Sequence, residues 1–131
     1  MNTNPTFFKS QFMKTLSAVE AHPERSNQHE FNGVQGLKIL FGMDTCRYDA
    51  VFSREGKWGQ CVATVTWYDA RESHPTRSEH RLYFQSNSVM DLAEAGDNIK
   101  VGFDHNNILH CVLIKSDNSQ HGGKLEKWKS V

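Results

Sequence analysis

The N-terminal part of the chain carries apolar side chains at helical spacing. They recur every three or four positions, at Phe8, Phe12, Leu16 and Val19. This spacing places side chains on one face of an α-helix. Pro5 lies where a first helical turn would begin, and His22 and Pro23 lie where the helix would end. The pattern predicts one amphipathic helix over residues 5–21.

Strands are predicted along most of the remaining chain, after a polar stretch at residues 24–32. The clearest strand is at residues 60–68, where β-branched and aromatic side chains dominate and the two faces alternate. Other strands are predicted at residues 34–41, 48–52, 78–85, 99–103 and 108–115, with a single helical turn at 89–95. The polar connection after residue 68 joins two of these strands into a long hairpin.

The fold class predicted from this pattern is mainly β with short helices. Six or so strands would form a small barrel or sandwich, with the N-terminal helix covering one side. The domain is expected to occupy residues 1–117. Residues 118–131 are polar and contain Gly122-Gly123 and three lysines, so they predict a linker or frayed tail.

Composition narrows the class of protein. The 131 residues have the length of one domain, and the 15 basic residues balance the 15 acidic ones. The net charge of zero removes the usual electrostatic indication of a nucleic-acid or membrane partner. No apolar run approaches the ~18 residues of a membrane span, and the N-terminus lacks the pattern of a secretory signal. We expect a cytoplasmic protein with free, buried thiols at Cys46, Cys61 and Cys111.

Signals for catalysis are sparse. The seven histidines are scattered without the spacing of metal ligands, and no nucleophile elbow or phosphate-binding loop occurs. Asp69 and Glu79 flank the hairpin turn and could hold a divalent cation, as in metal-dependent nucleases. The position of the usual catalytic lysine is Arg81, however, which does not deprotonate to activate water. A non-catalytic protein is therefore expected.

The hairpin segment 67–84, WYDARESHPTRSEHRLYF, interleaves arginines with acids. One interpretation is a solvated arm with weak ion pairs. The other is direct readout of DNA, because arginine binds guanine O6 and N7 while glutamate accepts from cytosine N4. Acids would only repel phosphates, so the mixture suits the reading of G·C pairs better than non-specific binding. This interpretation reconciles a DNA partner with zero net charge.

Three stretches resemble the N-terminal effector domain of the EcoRII-type (type IIE) restriction endonucleases. They are N-G-V-Q-G-L-K-I, W-Y-x-A-R-E-S-x-x-T-R-S-E-x-R-L-Y-F, and G-D-N-I-K-V-G-F followed by L-H-C-V-L-I. The resemblance covers roughly residues 33–117, and its specific core is T-R-S-E-x-R at residues 76–81. It implies a seven-stranded open DNA-binding pseudobarrel with short helices, which grips the major groove through two arms. This fold is shared with a large class of plant transcription factors.

The resemblance also implies which residues bind DNA. In the C-terminal arm, Arg77 and Glu79 would contact bases, and Arg81 would contact a base or a phosphate. The expected DNA-binding residues are Asn32, Gln35, Lys38, Arg71, Thr76, Arg77, Ser78, Glu79, His80 and Arg81. Where the family usually has basic residues, this chain has Pro75 and His80.

The N-terminal arm is similar to residues 32–38 of this chain. In that arm Gln35 and Lys38 would read or clamp the other half of the recognition site. Members of the family recognise CCWGG-type sequences, in which outer G·C pairs flank a central A·T pair. Such a site fits the arginine and glutamate chemistry of the hairpin.

The partners implied are double-stranded DNA with a CCWGG-type site and a C-terminal nuclease domain of the same enzyme. Binding itself would need no cofactor, Mg²⁺ being expected only for the separate nuclease domain. A monomer in the bacterial cytoplasm, without a membrane partner, is expected. Two alternatives stay open: a metal-dependent nuclease using Asp69 and Glu79, and a module that binds single strands or a protein through Trp58, Trp67 and Tyr83.

Overall fold

Eight strands form one open, curled sheet in this computed structural model, which describes residues 8–22, 29–71 and 79–131. The strands are β1 (Phe8–Thr15), β2 (Glu30–Phe31), β3 (Cys46–Arg54), β4 (Gln60–Asp69), β5 (His80–Phe84), β6 (Asn98–Asp104), β7 (Leu109–Ile114) and β8 (Lys129–Ser130). Their order across the sheet is β2-β5-β4-β3-β7-β6-β1-β8. Neighbouring strands are antiparallel except for β3 and β7, which are parallel.

Short helices connect the strands. They are the helices α1 (Ala18–Ala21) and α2 (Lys38–Phe41) and the 3₁₀ helices Val34–Leu37 and Met90–Leu92. The prediction of a mainly β fold with short helices is confirmed, with eight strands where the resemblance implied seven. Within the described ranges, no helix is long and apolar enough to span a membrane.

The prediction of an N-terminal helix over residues 5–21 is wrong for the described part of that segment. Residues from Phe8 to Thr15 form β1, which pairs with β6 along its length. Pairing gives the backbone of β6 a hydrogen-bonding partner on its outer side, and this tertiary gain outweighs a weak local preference for helix. Only one helical turn, α1, follows, and a capping box between Ser17 and Glu20 begins it.

The strand predicted at residues 34–41 is also wrong. The chain turns at Gly33, whose φ of 65° is left-handed, and then forms a 3₁₀ helix that continues into α2. Val34, Leu37 and Phe41 are buried on the inner side of this segment. Their spacing of three and four residues is helical, so the sequence did carry a helical pattern here. The neighbouring apolar side chains Ile39 and Leu40 obscured it, because they make the segment look like a strand.

The other predicted strands are confirmed with adjusted ends. They correspond to β3, β4, β5, β6 and β7, and the predicted single helical turn corresponds to the 3₁₀ helix Met90–Leu92. Pairing of β4 with both β3 and β5 places Trp67 between Cys46 and Leu82 on the inner face. The side chain of Trp67 is fully buried and stacks on Phe41 with ring centroids 5.0 Å apart. The free thiol of Cys111 is buried, which raises its pKa, whereas Cys46 and Cys61 are half-buried.

The C-terminal segment packs onto the sheet, although its polar composition predicted a linker or tail. Leu125 exchanges hydrogen bonds with Thr15, donating to its Oγ1 and accepting from its backbone N–H, each over 2.7–2.8 Å. Asn98 donates to two carbonyls of the segment, those of His121 and Gly123. Trp128 is 9% exposed and belongs to the core. Residues 121–131 therefore pack as part of the same domain as the sheet.

Gly102 of β6 lies close against the backbone of β1. A Cβ atom at this position would collide with the carbonyl oxygen of Ser10 and would lie 2.9 Å from the Cβ of Gln11. Replacing Gly102 by alanine forces β1 away from its partner, so we expect a loss of about 1–3 kcal/mol in unfolding free energy, measured by urea denaturation.

Gly36 provides the matched control for that substitution. A Cβ at Gly36 would meet only the Cβ of Trp128, at 3.9 Å, which is ordinary contact. We expect Gly36→Ala to leave stability within about 1 kcal/mol of the wild type or to raise it. Equal effects of the two substitutions would contradict the close packing of β1 on β6.

Candidate nucleic-acid interface

The predicted DNA-binding residues that the structure describes lie at one end of β4 and β5 and on the turn that follows β2. Asp69 and His80 form the last pair of the β4–β5 ladder, and Ala70 donates its backbone N–H to the carbonyl of Glu79 over 2.8 Å. The connection beyond this pair contains Pro75, Thr76, Arg77 and Ser78, which lie outside the described residues.

Glu79 binds two arginines at once. Its Oε1 accepts from Nε of Arg71 over 3.0 Å, and its Oε2 accepts from Nε and Nη2 of Arg81 over 3.2 and 3.0 Å. The side chains of all three residues are 39–46% exposed. The guanidinium groups of Arg71 and Arg81 hold the pKa of Glu79 below its usual value. The ion pairs of Glu79 with the two arginines therefore stabilise the fold fully above the ordinary pKa of glutamate. This stabilisation is lost as the pH falls through the lowered pKa of Glu79.

Glu30 extends the line of charges on the neighbouring strand. Its Oε1 lies 3.6 Å from Nη1 of Arg81, and its Oε2 accepts from the hydroxyl of Tyr68 over 2.6 Å. Burial, and then the contact with Glu30, raises the pKa of Tyr68. Glu30 was not among the predicted site residues, because it falls in the polar stretch at residues 24–32. The only signal was its position immediately before Phe31, whose pairing with Leu82 brings Glu30 beside β5.

Asp69 organises the backbone at the base of the hairpin. Its Oδ1 accepts the backbone N–H groups of Glu79 and Arg71 over 2.8 and 2.9 Å. These two hydrogen bonds lower the pKa of Asp69, and the positive charge of Lys38 on α2 adds to the effect. Asp69 therefore fixes the backbone on both sides of the connection between β4 and β5.

The turn after β2 completes the surface. Gln35 donates from Nε2 to the carbonyl of His80 over 3.1 Å, which joins this turn to the start of β5. Gln35 and Asn32 are exposed, and together with Glu79 and Arg81 they line a shallow pocket of about 260 Å³. The geometry thus brings Asn32 and Gln35 of one predicted arm together with Glu79 and Arg81 of the other.

His80 is the exception among the predicted contacts that the structure describes. It is 2% exposed, its ring stacks on Trp67 at 4.9 Å, and its Nε2 donates to the carbonyl of Met43 over 2.9 Å. Since that carbonyl can only accept, the Nε2 atom carries the proton. The side chain of His80 therefore packs in the core beneath the surface.

The described surface is electrically balanced. Lys38, Arg71 and Arg81 are countered by Glu30, Asp69 and Glu79. Such a surface offers guanidinium donors, carboxylate acceptors and amide groups in close order, but it offers no net charge to attract phosphates. Its chemistry favours recognition of a ligand that itself presents both donors and acceptors.

The structure also describes the residues of the two alternatives, a metal-dependent nuclease and a module that binds single strands or a protein. Both carboxylate oxygens of Glu79 are occupied by arginines, so a cation at Asp69 and Glu79 would have to displace them. Among residues 8–22, 29–71 and 79–131, no group of three His, Cys, Asp or Glu side chains could hold a metal ion. Trp67 is buried, whereas Trp58 and Tyr83 are 100% and 42% exposed.

The sequence matches no protein-family model and no curated protein. The surface is therefore interpreted from its own geometry.

Proposed function

We propose that this chain is a non-catalytic module that binds double-stranded DNA in a sequence-specific manner. One observation carries the proposal: Glu79 holds Arg71 and Arg81 side by side on an exposed strand end, next to the amides of Asn32 and Gln35. Guanidinium and carboxylate groups in this order can match the acceptors of guanine and the amino group of cytosine.

The electrostatic balance of the surface supports specific binding over general affinity for nucleic acid. A guanidinium that is already paired gains little from a phosphate, because the new contact replaces an existing one. A G·C pair supplies partners for both members of the Arg81–Glu79 pair, since it carries acceptors on guanine and a donor on cytosine. The surface thus favours base edges over backbone.

The finer assignment rests on the resemblance to the EcoRII-type effector domains. The curled, open, mainly β sheet with short helices is compatible with the pseudobarrel that the resemblance implies. We propose a CCWGG-type site as the ligand, with Arg77 and Glu79 on bases, Arg81 on a base or phosphate, and Gln35 with Lys38 on the other half-site. In this proposal the nuclease that needs Mg²⁺ is a separate domain of the same enzyme.

A titration by fluorescence anisotropy tests the proposal. The chain is added to a short duplex containing CCWGG and to one with the outer pairs exchanged, at near-physiological salt with Ca²⁺. We expect the two dissociation constants to differ by ~10³ or more. Equal and steeply salt-dependent binding, or no binding, would overturn the proposal. Stronger competition by single-stranded DNA would favour the single-strand alternative, and cutting after addition of Mg²⁺ that Asp69→Ala abolishes would favour the nuclease.

Substitutions of Arg77 and Lys38 separate base contacts from phosphate contacts. We expect Arg77→Ala to weaken cognate binding by about 1–3 kcal/mol and to relax preference at one G·C pair. Lys38→Ala, as a phosphate contact, should weaken cognate and exchanged duplexes alike. Arg54→Ala is the control, because Arg54 lies at the end of β3 opposite to the Cys46–Trp67 pair. Equal losses on both duplexes for Arg77→Ala would remove its role in base reading.

A further inference from the structure

We infer that Trp128 is a positioning residue for the candidate DNA surface, although it lies in the C-terminal segment and is buried. This inference rests on the proposed function for its effect on DNA. The hydrogen bonds that hold the backbone of Asn32, here called the clamp, belong to the fold and can be measured without DNA. Trp128 acts through Asn32, the first residue of the turn that carries Gln35 and Lys38.

Both backbone groups of Asn32 are held by buried side chains. The indole Nε1 of Trp128 donates to the carbonyl of Asn32 over 2.8 Å. On the other side of the same residue, the backbone N–H of Asn32 donates to Oε2 of Glu20 over 2.6 Å. Trp128 is 9% exposed and Glu20 is fully buried. A loop residue held from both sides in this way has little freedom to shift.

Trp128 lies between the two edges of the sheet. Trp128 immediately precedes β8, one edge strand, and its ring meets Phe31 of β2, the other edge strand, edge to face at 6.0 Å. Trp128 therefore connects the two edges of the curled sheet at the point where β2 ends. The same side chain thus closes the gap between β2 and β8, here called the seam, and fixes Asn32.

The clamp determines where the exposed residues of the turn lie. After Asn32 the chain passes through Gly33 and forms the 3₁₀ helix that holds Gln35, whose amide bonds the carbonyl of His80. A displacement at Asn32 would be transmitted to this short helix, because Asn32 directly precedes its N-cap residue, Gly33. Binding sites lose function when their contacts move by about 1 Å, even when every contact residue is present.

Replacement of Trp128 by phenylalanine tests the inference. Phenylalanine keeps an aromatic ring beside Phe31 but has no N–H to donate. Hydrogen exchange by mass spectrometry or NMR is expected to show Asn32–Lys38 amides exchanging about 2- to 10-fold faster, with β6 and β7 unchanged. In the duplex titration, discrimination between CCWGG and the exchanged site should fall by a similar factor, while affinity for the exchanged duplex stays constant. Trp58→Phe is the matched control, because Trp58 is 100% exposed.

The possible outcomes separate the clamp from the DNA function. Unchanged exchange at residues 32–38 in Trp128→Phe would overturn the clamp. Faster exchange without loss of discrimination would overturn the positioning role and leave the proposed function standing. If the wild-type chain does not discriminate between the duplexes, the proposed function fails, and the positioning role fails with it, while the exchange data still decide the clamp. If Trp128→Phe unfolds, benzothienylalanine at residue 128 preserves the ring shape without the N–H and gives the same two readouts.

Discussion

Replacement of Glu20 by glutamine is expected to lower the unfolding free energy by about 3–5 kcal/mol, the cost of leaving one member of a buried ion pair unpaired. Glu20 is fully buried, and its Oε1 lies 2.6 Å from Nζ of Lys14, which is 7% exposed. The same carboxylate accepts from the backbone N–H of Ser17 over 2.8 Å and of Asn32 over 2.6 Å. A neutral amide cannot serve all three donors, because half of its polar end is itself a donor.

Urea denaturation of three variants measures this effect. Glu126→Gln is the control, since Glu126 is exposed and its loss should change stability by less than about 0.5 kcal/mol. The double variant Lys14→Met with Glu20→Gln should recover part of the loss, because the buried ammonium is removed with its partner. A loss below about 1 kcal/mol for Glu20→Gln alone would show that Lys14 reaches water once its partner is gone, and would contradict the buried pair.

Replacement of Glu79 by glutamine is expected to reduce the ratio of specific to non-specific DNA binding by about 100-fold or more. Loss of the carboxylate replaces a charged acceptor for cytosine N4 by a weaker amide oxygen, a change worth about 1–3 kcal/mol on the cognate site. It also releases Arg71 and Arg81, which Glu79 holds over 3.0 Å each. Freed guanidinium groups are available to phosphates, so affinity for the exchanged duplex should rise and its dependence on salt should steepen, by ~0.9 in logarithmic slope for each added phosphate contact.

A charge-matched substitution elsewhere separates local from global electrostatics. Asp117→Asn removes the same charge from an exposed residue beyond the end of β7, which lies three positions from β5 in the strand order. We expect it to leave the ratio unchanged within about twofold, since surface charges are screened beyond ~10 Å. If Glu79→Gln and Asp117→Asn change binding equally, Glu79 acts only through net charge and is no reader of bases.

The sequence predicted the kinds of side chain on the candidate surface, but it predicted only some of the residues that form it. The pattern of arginines interleaved with acids in the hairpin segment predicted Arg71, Glu79 and Arg81 as site residues. The structure brings these three side chains into contact. Glu30 could not be found in this way, since its contact with Arg81 depends on the two-residue pairing of β2 with β5. A strand of two residues has no period for the sequence to display. His80 was assigned to the surface by its place in the motif, and pairing with Asp69 turned it to the core.

Local patterning was sufficient for strands that alternate strictly between a buried and an exposed face. Alternation along residues 60–68 and 99–103 predicted β4 and β6, because a strand with one side in the core must show a period of two. Patterning failed at both ends of the chain. Residues 8–15 carry helical spacing yet form β1, because their backbone pairs with β6.

The sequence by itself determined the mainly β class, most of the strands and the kinds of side chain available for recognition, since these depend on residues close together in the chain. Only the tertiary structure decided that polar residues 121–131 close the seam and that Trp128 and Glu20 hold Asn32 from both sides. These contacts join residues separated by 96 and 12 positions. Neither end of such a contact carries a local sign of its partner, because the gain in free energy exists only once the sheet has curled and brought the two edges together.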